Sequence, residues 1–385
     1  MNSILFDDCR SDLLPLTYTK PVCQLRVGIL TIKEKWEILS GLSFSFKTED
    51  YLQKKYPLVL SNDNLFINGS ILPNKELVDA IEKLEREQSL VKDGVVIAYK
   101  SSNENRPEKE VEYQNNIFQL NRCWNIFSLN EAEIESDFQL VTKGKTTQEI
   151  SKTNTVIGGQ NIFIEEGAKV ECSILNAQSG FIYIGKNAEI MEGSMVRGSL
   201  AMCENSVLKM GAKIYGATTL GPFCKVGGEV NNSVFQGFSN KGHDGFLGNS
   251  VIGEWCNLGA DTNNSNLKNN YAEVKLWNYS VDRFEKTGLQ FCGLIMGDHS
   301  KCGINTMFNT GTVIGISSNL FGPGFPRNFI PSFSWGGSGG YTTFVLDKVF
   351  DVAQKVMERR AIELTSEDKD ILSYVFSLTN KYRKQ

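Results

Sequence analysis

Long apolar runs, basic tracts and a leader-like N-terminus are missing from this chain of 385 residues. No apolar run approaches the roughly 18 residues that a membrane-spanning helix requires. The formal net charge is −4 and positive charges do not cluster in the sequence, so nucleic acid is not an expected partner. The first residues, MNSILFDD, carry no basic n-region and too short an apolar run for a signal peptide. We therefore expect a cytoplasmic protein that binds neither nucleic acid nor a membrane.

The cysteines indicate neither disulfides nor a metal site, and histidine is scarce. The nine cysteines form no CxxC pair, which indicates reduced thiols and no disulfide framework or cysteine zinc site. The chain has two histidines, His243 and His299. Chemistry that depends on imidazole must therefore use one of these two side chains.

A six-residue period runs through the middle of the chain. An α-helix has a period of 3.6 residues and a β-strand a period of 2, so neither explains it. A chain that turns a corner every six residues does, because coils of about 18 residues then stack around one apolar column. The predicted inward positions are Ile184, Ile190, Val196, Met202, Leu208, Ile214, Leu220 and Val226, then Val234, Asn240, Phe246, Ile252 and Leu258, and finally Met296, Cys302, Phe308 and Ile314.

The repeat divides the chain into three predicted domains. Residues 1–150 alternate strand-like and helix-like segments, which predicts an α/β domain with a mainly parallel sheet. Residues 151–322 form the solenoid, and the segment 269–293 interrupts it as an excursion from one corner. Residues 323–385 are expected as an extended tail laid over the solenoid, followed by two helices. The second of these helices begins at a capping box of Thr365 and Asp368.

The stretch LLPLTYTKPVCQLRVGILTIKEKWE, residues 13–37, resembles the signature of the sugar-1-phosphate nucleotidyltransferases. That family carries a glycine-rich loop, an arginine, the letters PLT, and a proline–lysine pair before a helix. The resemblance implies that a nucleotide or sugar phosphate binds to Arg10, Lys20 and Arg26. The residues that match are Leu13, Pro15, Leu16, Thr17 and Pro21.

Departures from this signature make magnesium-assisted nucleotidyl transfer doubtful. The glycine-rich loop is replaced by DDCRSD, residues 7–12, whose aspartates repel a triphosphate. Val22 stands in the place of the lysine, although Lys20 and Arg26 lie close enough in sequence to substitute for it. Asn68–Ser70 takes the place of the usual metal-binding GD, without its carboxylate, and Mg²⁺ prefers anionic oxygen ligands. The metal site is therefore unknown.

The six-residue period resembles the hexapeptide-repeat family, which implies a left-handed parallel β-helix. Together the two halves resemble the bifunctional N-acetylglucosamine-1-phosphate uridyltransferase/glucosamine-1-phosphate acetyltransferase family. There, a stretch of the form KAGH-x-x-Y-L-G matches NKGHDGFLGNSVIGEWCNLGADT, residues 240–262. The resemblance implies a homotrimer with sites between subunits and a coenzyme A thioester as acyl donor. It implies His243 as catalytic base, Ala260 as a coenzyme A contact, and Asn231, Phe246, Asn257 and Asn266 as substrate-binding residues.

The solenoid also departs from this family. Phe246 lacks the hydroxyl of the family's tyrosine, Asn231 replaces a lysine that contacts substrate phosphate, and Leu267 replaces another tyrosine. We therefore expect an amino sugar, as its phosphate or nucleotide derivative, that is less charged or differently placed than the family's substrate. His299 is expected to be a surface corner residue.

Two other functions remain open, and a third is disfavoured. The N-terminal domain could be an active sugar-1-phosphate nucleotidyltransferase, of the glucose-1-phosphate thymidylyltransferase or UDP-N-acetylglucosamine pyrophosphorylase type, with a β-helix that only trimerises the chain. It could instead sense a nucleotide sugar without catalysis. A carbonic anhydrase on the same solenoid is disfavoured, because its zinc ion needs three histidines.

Overall fold

The computed structural model describes residues 1–383, which fall into two compact units. The first unit comprises Met1–Leu13, Thr19–Leu25 and Leu30–Arg122. The second comprises Leu14–Tyr18, Arg26–Ile29 and the chain from Cys123 onward. Across residues 1–383, no helix combines the length and the apolar character needed to cross a membrane.

The first unit is an α/β domain whose main sheet is mixed. Its strand order is β2-β1-β3-β6-β5-β7. β1 pairs in parallel with β2 and β3, and β5 with β7, whereas β6 is antiparallel to both of its neighbours. Three of the five strand pairings are parallel, which agrees with the predicted mainly parallel sheet. The elements are β1 (Asn2–Phe6), β2 (Phe44–Lys47), β3 (Asn64–Asn68), β4 (Ile71–Leu72), β5 (Gln88–Lys92), β6 (Val95–Ser101), β7 (Glu110–Glu112), β8 (Phe118–Gln119), α1 (Ile32–Ser40) and α2 (Lys75–Glu82).

Local sequence signals explain where the first helix of this unit begins and ends. The Thr31 hydroxyl accepts a hydrogen bond from the amide of Glu34, and the Glu34 carboxylate accepts one from the amide of Thr31. This capping box satisfies amide groups at the N-terminus that have no partner within the helix. At the other end, Gly41 adopts a left-handed φ of 71°, which costs glycine little and stops the helix.

The second unit contains a parallel β-helix, which confirms the predicted solenoid and matches the left-handed class that the resemblance implied. Two helices precede it, α3 (Asn125–Ser128) and α4 (Asn130–Thr142). Its strands are β9 (Thr155–Ile157), β10 (Ile162–Ile164), β11 (Lys169–Val170), β12 (Ile174–Asn176), β13 (Ile182–Ile184), β14 (Glu189–Ile190), β15 (Met195–Arg197), β16 (Leu200–Met202), β17 (Val207–Leu208), β18 (Lys213–Tyr215), β19 (Thr218–Leu220), β20 (Lys225–Val226), β21 (Glu229–Asn231), β22 (Val234–Gly237), β23 (Asn240–Lys241), β24 (Phe246–Gly248), β25 (Val251–Glu254), β26 (Asn257–Leu258), β27 (Asn263–Asn264), β28 (Lys275–Asn278), β29 (Arg283–Lys286), β30 (Leu294–Met296), β31 (Lys301–Cys302), β32 (Met307–Phe308), β33 (Thr312–Ile314), β34 (Asn319–Leu320), β35 (Phe329–Ile330), β36 (Ser334–Gly337) and β37 (Gly340–Thr343).

The coils of the solenoid form three faces, and beyond β24 the strands β27 and β32 pair with each other as a separate two-stranded sheet. Face 1 contains β9, β12, β15, β18, β21 and β24. Face 2 contains β10, β13, β16, β19, β22, β25, β30, β33 and β35. Face 3 contains β11, β14, β17, β20, β23, β26, β31, β34 and β36, with β37 antiparallel at its end.

The predicted inward column is confirmed on either side of one irregular coil. All eight positions from Ile184 to Val226, and the four from Met296 to Ile314, belong to a single buried core. Between Val226 and Ile252 the predicted register is wrong by one residue, whereas the predicted positions Ile252 and Leu258 belong to the core. The inward side chains after Val226 are Val230, Phe235, Lys241 and Leu247, not Val234, Asn240 and Phe246. The reason is a shortened corner at Gly227–Gly228, which places the next inward residue, Val230, only four positions after Val226.

The excursion and the C-terminal segment are folded in ways the sequence did not fully anticipate. The excursion is an antiparallel hairpin of β28 and β29, and the solenoid resumes beyond it with β25 paired to β30. The expected tail instead adds strands to the solenoid, because β35 pairs with β33 and β36 with β34. The helices α5 (Leu346–Glu358), α6 (Ser366–Leu378) and α7 (Asn380–Arg383) follow, and α6 begins at the predicted capping box of Thr365 and Asp368.

Candidate functional site

The loop that replaces the glycine-rich motif uses its polar groups internally. The guanidinium of Arg10 donates to Asp7 at 3.2 Å, to the carbonyl of Lys20 at 2.9 Å and to the Tyr51 hydroxyl at 2.7 Å. The Asp7 carboxylate also accepts from the amide of Val22 at 2.7 Å, and burial raises its pKa although Arg10 opposes the shift. Arg10 thus holds the loop together by contacts within the first unit.

The other two cations of the nucleotidyltransferase signature are buried in different units. Lys20 is buried in the first unit. Arg26 belongs to the second, where its backbone amide donates to Gln236 on face 2 at 2.7 Å and its carbonyl accepts from the same side chain at 3.1 Å. The guanidinium of Arg26 donates to the carbonyl of Ile29. The structure therefore does not present Arg26 as a solvent-facing phosphate ligand.

The residues at the metal-binding position of the nucleotidyltransferase signature do not fit Mg²⁺. Asp8 supplies a carboxylate beside Asn68, but its Oδ2 atom accepts from the Asn68 amide at 2.9 Å and from Gln119 at 3.0 Å. The side-chain oxygen of Asn68 accepts from the amide and hydroxyl of Ser70. Amide N–H donors thus occupy the oxygens that a hard cation needs. Among residues 1–383, no group of three or more His, Cys, Asp or Glu side chains is placed to hold a metal ion.

His243 lies in an exposed turn between face 3 and face 1. The strand before the turn, β23, places Lys241 in the inward column, where the residue is 1% exposed. The ammonium of Lys241 donates to the carbonyl oxygens of His243 at 2.9 Å, Gly227 at 3.1 Å and Asp244 at 3.3 Å. Lys241 therefore fixes the backbone of the turn from below while the imidazole faces solvent.

Hydrogen bonds and nearby carboxylates offset only part of the free-energy cost of burying the Lys241 ammonium. The charged form of a buried amine is disfavoured by desolvation, and burial lowers the pKa of Lys241 to about 8, although Asp244 and Asp261 oppose this shift. Three carbonyl acceptors match the three N–H donors of the ammonium group. A cation thus occupies a position that is apolar in most other coils.

A strip without side chains runs along the solenoid beside His243. Gly227, Gly242, Gly259 and Gly303 each follow a face 3 strand directly, on four successive coils. We call these four residues the glycine strip. A Cβ at Gly227 would lie 3.0 Å from the carbonyl oxygen of Gly242, and one at Gly259 would lie 2.4 Å from the carbonyl carbon of Gly303. Close stacking of the coils therefore favours glycine at Gly227 and Gly259.

Two predicted contacts adjoin this strip. Ala260 follows Gly259 in the corner of the next coil, where the amide of Asp261 donates to the carbonyl of Asp244 at 3.1 Å. Asn257 is exposed on face 3, and its Cα pairs with that of Asn240, three residues before His243. His243, Ala260 and Asn257 thus occupy adjacent coils around one corner of the solenoid.

The remaining predicted substrate residues form a second group on face 1 and at the base of the excursion. Asn231 pairs with Gly248, and the Asn249 amide donates to the Asn231 carbonyl at 3.0 Å. The side-chain amide of Asn266 donates to Asn249 at 2.8 Å. A Cβ on Gly248 would meet both the Phe246 ring and the Asn266 amide. The structure therefore brings Asn231, Phe246 and Asn266 together around Gly248.

Two features of this region escaped sequence reasoning. Lys241 was missed because the predicted register placed Asn240 inward. The available signal was the six-residue spacing of Phe235, Lys241 and Leu247. The glycine strip could have been read from the sequence as glycines that follow successive face 3 strands.

His299 lies at a corner with a left-handed φ of 62° and stacks on Trp255, with 6.3 Å between ring centroids. A separate cleft of about 700 Å³, lined by Trp277, Arg327 and Tyr341 among others, contains none of the predicted site residues.

One family model matches the N-terminal region. Residues 3–146 match the model of a family described as sugar nucleotidyl transferase, which covers less than half of the chain. For residues 3–146, the match supports the prediction of a transferase. It does not extend to the bifunctional family. No curated protein matched the chain.

Solved structures of low similarity were also found. The UDP-N-acetylglucosamine acyltransferase LpxA of Bacteroides fragilis is 12% identical, with 59% of this chain and 96% of that chain covered and a TM-score of 0.29. An Arabidopsis UDP-N-acetylglucosamine acyltransferase is 13% identical, with coverages of 61% and 82% and a TM-score of 0.28. The N-acyltransferase AntD of Bacillus cereus, in complex with dTDP and 3-hydroxybutyryl-CoA, is 13% identical, with coverages of 56% and 100% and a TM-score of 0.22. At these scores the likenesses support no conclusion about activity.

Replacing Lys241 by Met should change how stability depends on pH. The pKa of Lys241 is about 8 in the folded chain and 10.5 for an ordinary lysine, so the unfolded chain binds more protons between these values. The free energy of unfolding therefore contains a term that rises with pH in this window, by at most about 1.4 kcal/mol per pH unit. Lys241→Met removes that term.

Urea unfolding of the wild type and the variant at pH 8 and pH 10 measures the effect. We expect the wild type to gain more stability over this interval than Lys241→Met does. Replacing the exposed Lys186 by Met is the matched control and should leave the wild-type difference intact. An identical pH response in all three proteins would mean that Lys241 titrates normally in the fold.

Proposed function

We propose that the solenoid transfers an acyl group from a coenzyme A thioester to the amine of an amino sugar, presented as its phosphate or nucleotide derivative. The observation that carries this proposal is the His243 turn. Its imidazole is exposed, its backbone is held by three hydrogen bonds from Lys241, and the glycine strip runs beside it. The resemblance around residues 240–262 and the sugar nucleotidyl transferase match of residues 3–146 support the same substrate class.

The chemistry needs one base and an open path for a linear cofactor. Neutral imidazole of His243 accepts a proton from the amine as its nitrogen attacks the thioester carbonyl. A nitrogen–carbon bond forms, the carbon–sulfur bond breaks, and the thiolate takes up the proton from the imidazolium. The pantetheine arm is a narrow chain, and a strip without side chains along several coils suits it. Ala260, the proposed coenzyme A contact, borders this strip.

We assign the acceptor sugar to Asn257, beside the His243 turn, and to the group of Asn231, Phe246 and Asn266 around Gly248. Asn231, Asn257 and Asn266 offer amide donors and acceptors of the kind that bind sugar hydroxyls, and Phe246 offers an apolar surface. None of these four side chains carries a charge. Phosphate on the acceptor must therefore be bound by other residues.

We also propose that the active form is a homotrimer, with face 1 in contact with neighbouring subunits. Four large apolar side chains project outward from consecutive strands of this face, which is unusual for a surface exposed to solvent. They are Ile157, Ile174, Met195 and Tyr215, which are 38%, 42%, 43% and 37% exposed. A second copy of the chain would cover them and place its own residues beside the site.

Replacing His243 by Ala should abolish turnover and leave binding intact. Loss of a general base lowers rates by about 10²- to 10⁴-fold, with smaller effects on affinity. Thiol release from acetyl-coenzyme A, measured against a panel of amino-sugar phosphates and nucleotide-linked amino sugars, gives kcat; calorimetry gives coenzyme A affinity. His299→Ala removes the other imidazole and is the control, which should retain kcat. Normal turnover in His243→Ala would exclude His243 as the base.

Replacing Ile174 by Glu should dissociate the trimer. The substitution places a charge on face 1 between the uncharged register partners Thr155 and Met195, and each buried charge without a partner opposes association strongly. Light scattering is expected to give a trimer mass for the wild type and a smaller mass for the variant. Ile304→Glu, at an exposed apolar residue off face 1, is the matched control. A monomeric wild type would contradict the proposed assembly.

The N-terminal region should not catalyse nucleotidyl transfer at a useful rate. Its metal position is filled by amide donors, and its loop arginine is held by Asp7 and Tyr51. Pyrophosphate release from UTP or dTTP with glucose-1-phosphate or N-acetylglucosamine-1-phosphate should stay at background with added Mg²⁺. Robust release would instead favour the alternative function, a sugar-1-phosphate nucleotidyltransferase with a solenoid that only trimerises the chain.

A further inference from the structure

Four cationic side chains gather on face 3, outside the group of residues described above. Lys209 follows β17 directly, and Lys225 begins β20, the next strand along this face. Arg359 and Arg360 follow the last residue of α5. We refer to these four residues as the basic cluster.

Hydrogen bonds place Arg360 on the solenoid surface. Its Nη2 atom lies 3.4 Å from the carbonyl oxygen of Phe223 and 3.4 Å from Oδ1 of Asn240. The Cα of Asn240 pairs with that of Lys225, so the two residues are about one strand spacing, 4.8 Å, apart. Lys209 lies on the other side of β20 from Asn240, where its Cβ is 3.1 Å from the position of a Cβ built on Gly227.

The basic cluster contains unbalanced positive charge. Burial lowers the pKa of Lys225, and the charges of Arg360, Lys209 and Arg359 lower it further, while Glu189 opposes them. Within residues 1–383, none of the four cations forms an ion pair. The Nε atom of Arg360 is buried and has no hydrogen-bond acceptor in this part of the chain. Mutual repulsion of this kind is relieved when an anion binds.

A purely structural role explains only half of the basic cluster. Positive charges at the end of α5 interact favourably with the helix dipole, which accounts for Arg359 and Arg360. It does not account for Lys209 and Lys225, which belong to the solenoid and are brought to the same place by strand register. A guanidinium with a free N–H and two ammonium groups beside it is the arrangement that binds phosphate.

We propose that the basic cluster binds a phosphate group of a ligand that extends toward His243. Lys225 lies two residues before Gly227, the first member of the glycine strip, and Asn240 lies three residues before His243. A phosphate held here is therefore close to the His243 turn. Coenzyme A and a phosphorylated acceptor sugar both carry the required chemistry, and the experiment distinguishes these sources. The proposal does not depend on turnover, because binding alone tests it.

Calorimetric titration with inorganic pyrophosphate is the primary test. The wild type should bind it, and Lys225→Gln and Arg360→Gln should each raise the Kd about tenfold, the usual effect of losing one charge-assisted hydrogen bond. The double variant should lose measurable binding. Lys169→Gln removes a lysine from the same face three strands away and is the matched control, with an unchanged Kd. Cooperative thermal unfolding of each variant shows that it is folded.

Two further titrations identify the source of the phosphate. If coenzyme A loses affinity in Lys225→Gln and Arg360→Gln while glucosamine-1-phosphate does not, the basic cluster holds the acyl donor; the reverse result assigns it to the acceptor. Either result supports the site. Failure of the wild type to bind pyrophosphate, or equal binding by the wild type and the double variant, would overturn it. Acyl transfer that persists in that case would leave the proposed function standing without this site.

Discussion

The solenoid depends on the stacking of each coil on the next through parallel backbone hydrogen bonds and a shared apolar column. Face 2 pairs nine strands in succession, and each strand contributes a buried residue to the same core. Successive coils must keep these ladders in register, which favours corners of equal length, although the coil after the shortened corner at Gly227–Gly228 still pairs on all three faces. This constraint explains glycine at Gly227 and Gly259, where the next coil leaves no room for a side chain.

The candidate site lies where this regularity is relaxed. The coil that contains Val230 and Phe235 is shortened at its first corner, and the next inward position on face 3 is occupied by Lys241. A buried ammonium is tolerated because three carbonyl oxygens surround it, two of them in the turn of His243 and Asp244. Because the buried ammonium of Lys241 has no water to bind, it keeps these hydrogen bonds, and they fix the backbone of an otherwise exposed loop. Local departures from a repeat are often found at functional sites.

Sequence reasoning predicted the regular parts of the fold and lost accuracy where the repeat changed. The inward column from Ile184 to Val226 follows from periodicity alone, because each corner there has the same length. The register from Val230 to Leu247 could not be predicted, since spacings of four and then five residues replace six after Val226 and only backbone geometry shows it. The last coil was also missed: β35 and β36 pair with the solenoid through residues that carry no six-residue period.

The candidate site could be predicted as a set of residues and not as an arrangement. The resemblance around residues 240–262 identified His243 and Asn257, and strand pairing shows that they belong to adjacent coils. Arg10, Lys20 and Arg26 were grouped by their closeness in sequence. The chain passes between two compact units within that stretch, so proximity along it does not imply one binding surface. Lys241 and the basic cluster depend on register and on a helix more than 100 residues away, which no local pattern reveals.

The central claim is that a coenzyme A thioester lies along the glycine strip with its reactive end beside His243. A crystal structure of the protein with acetyl-coenzyme A tests this claim most directly. The account predicts electron density for the pantetheine arm along Gly227, Gly242 and Gly259, with the thioester next to the imidazole of His243. Coenzyme A bound elsewhere on the chain, with its thioester remote from His243, would contradict it.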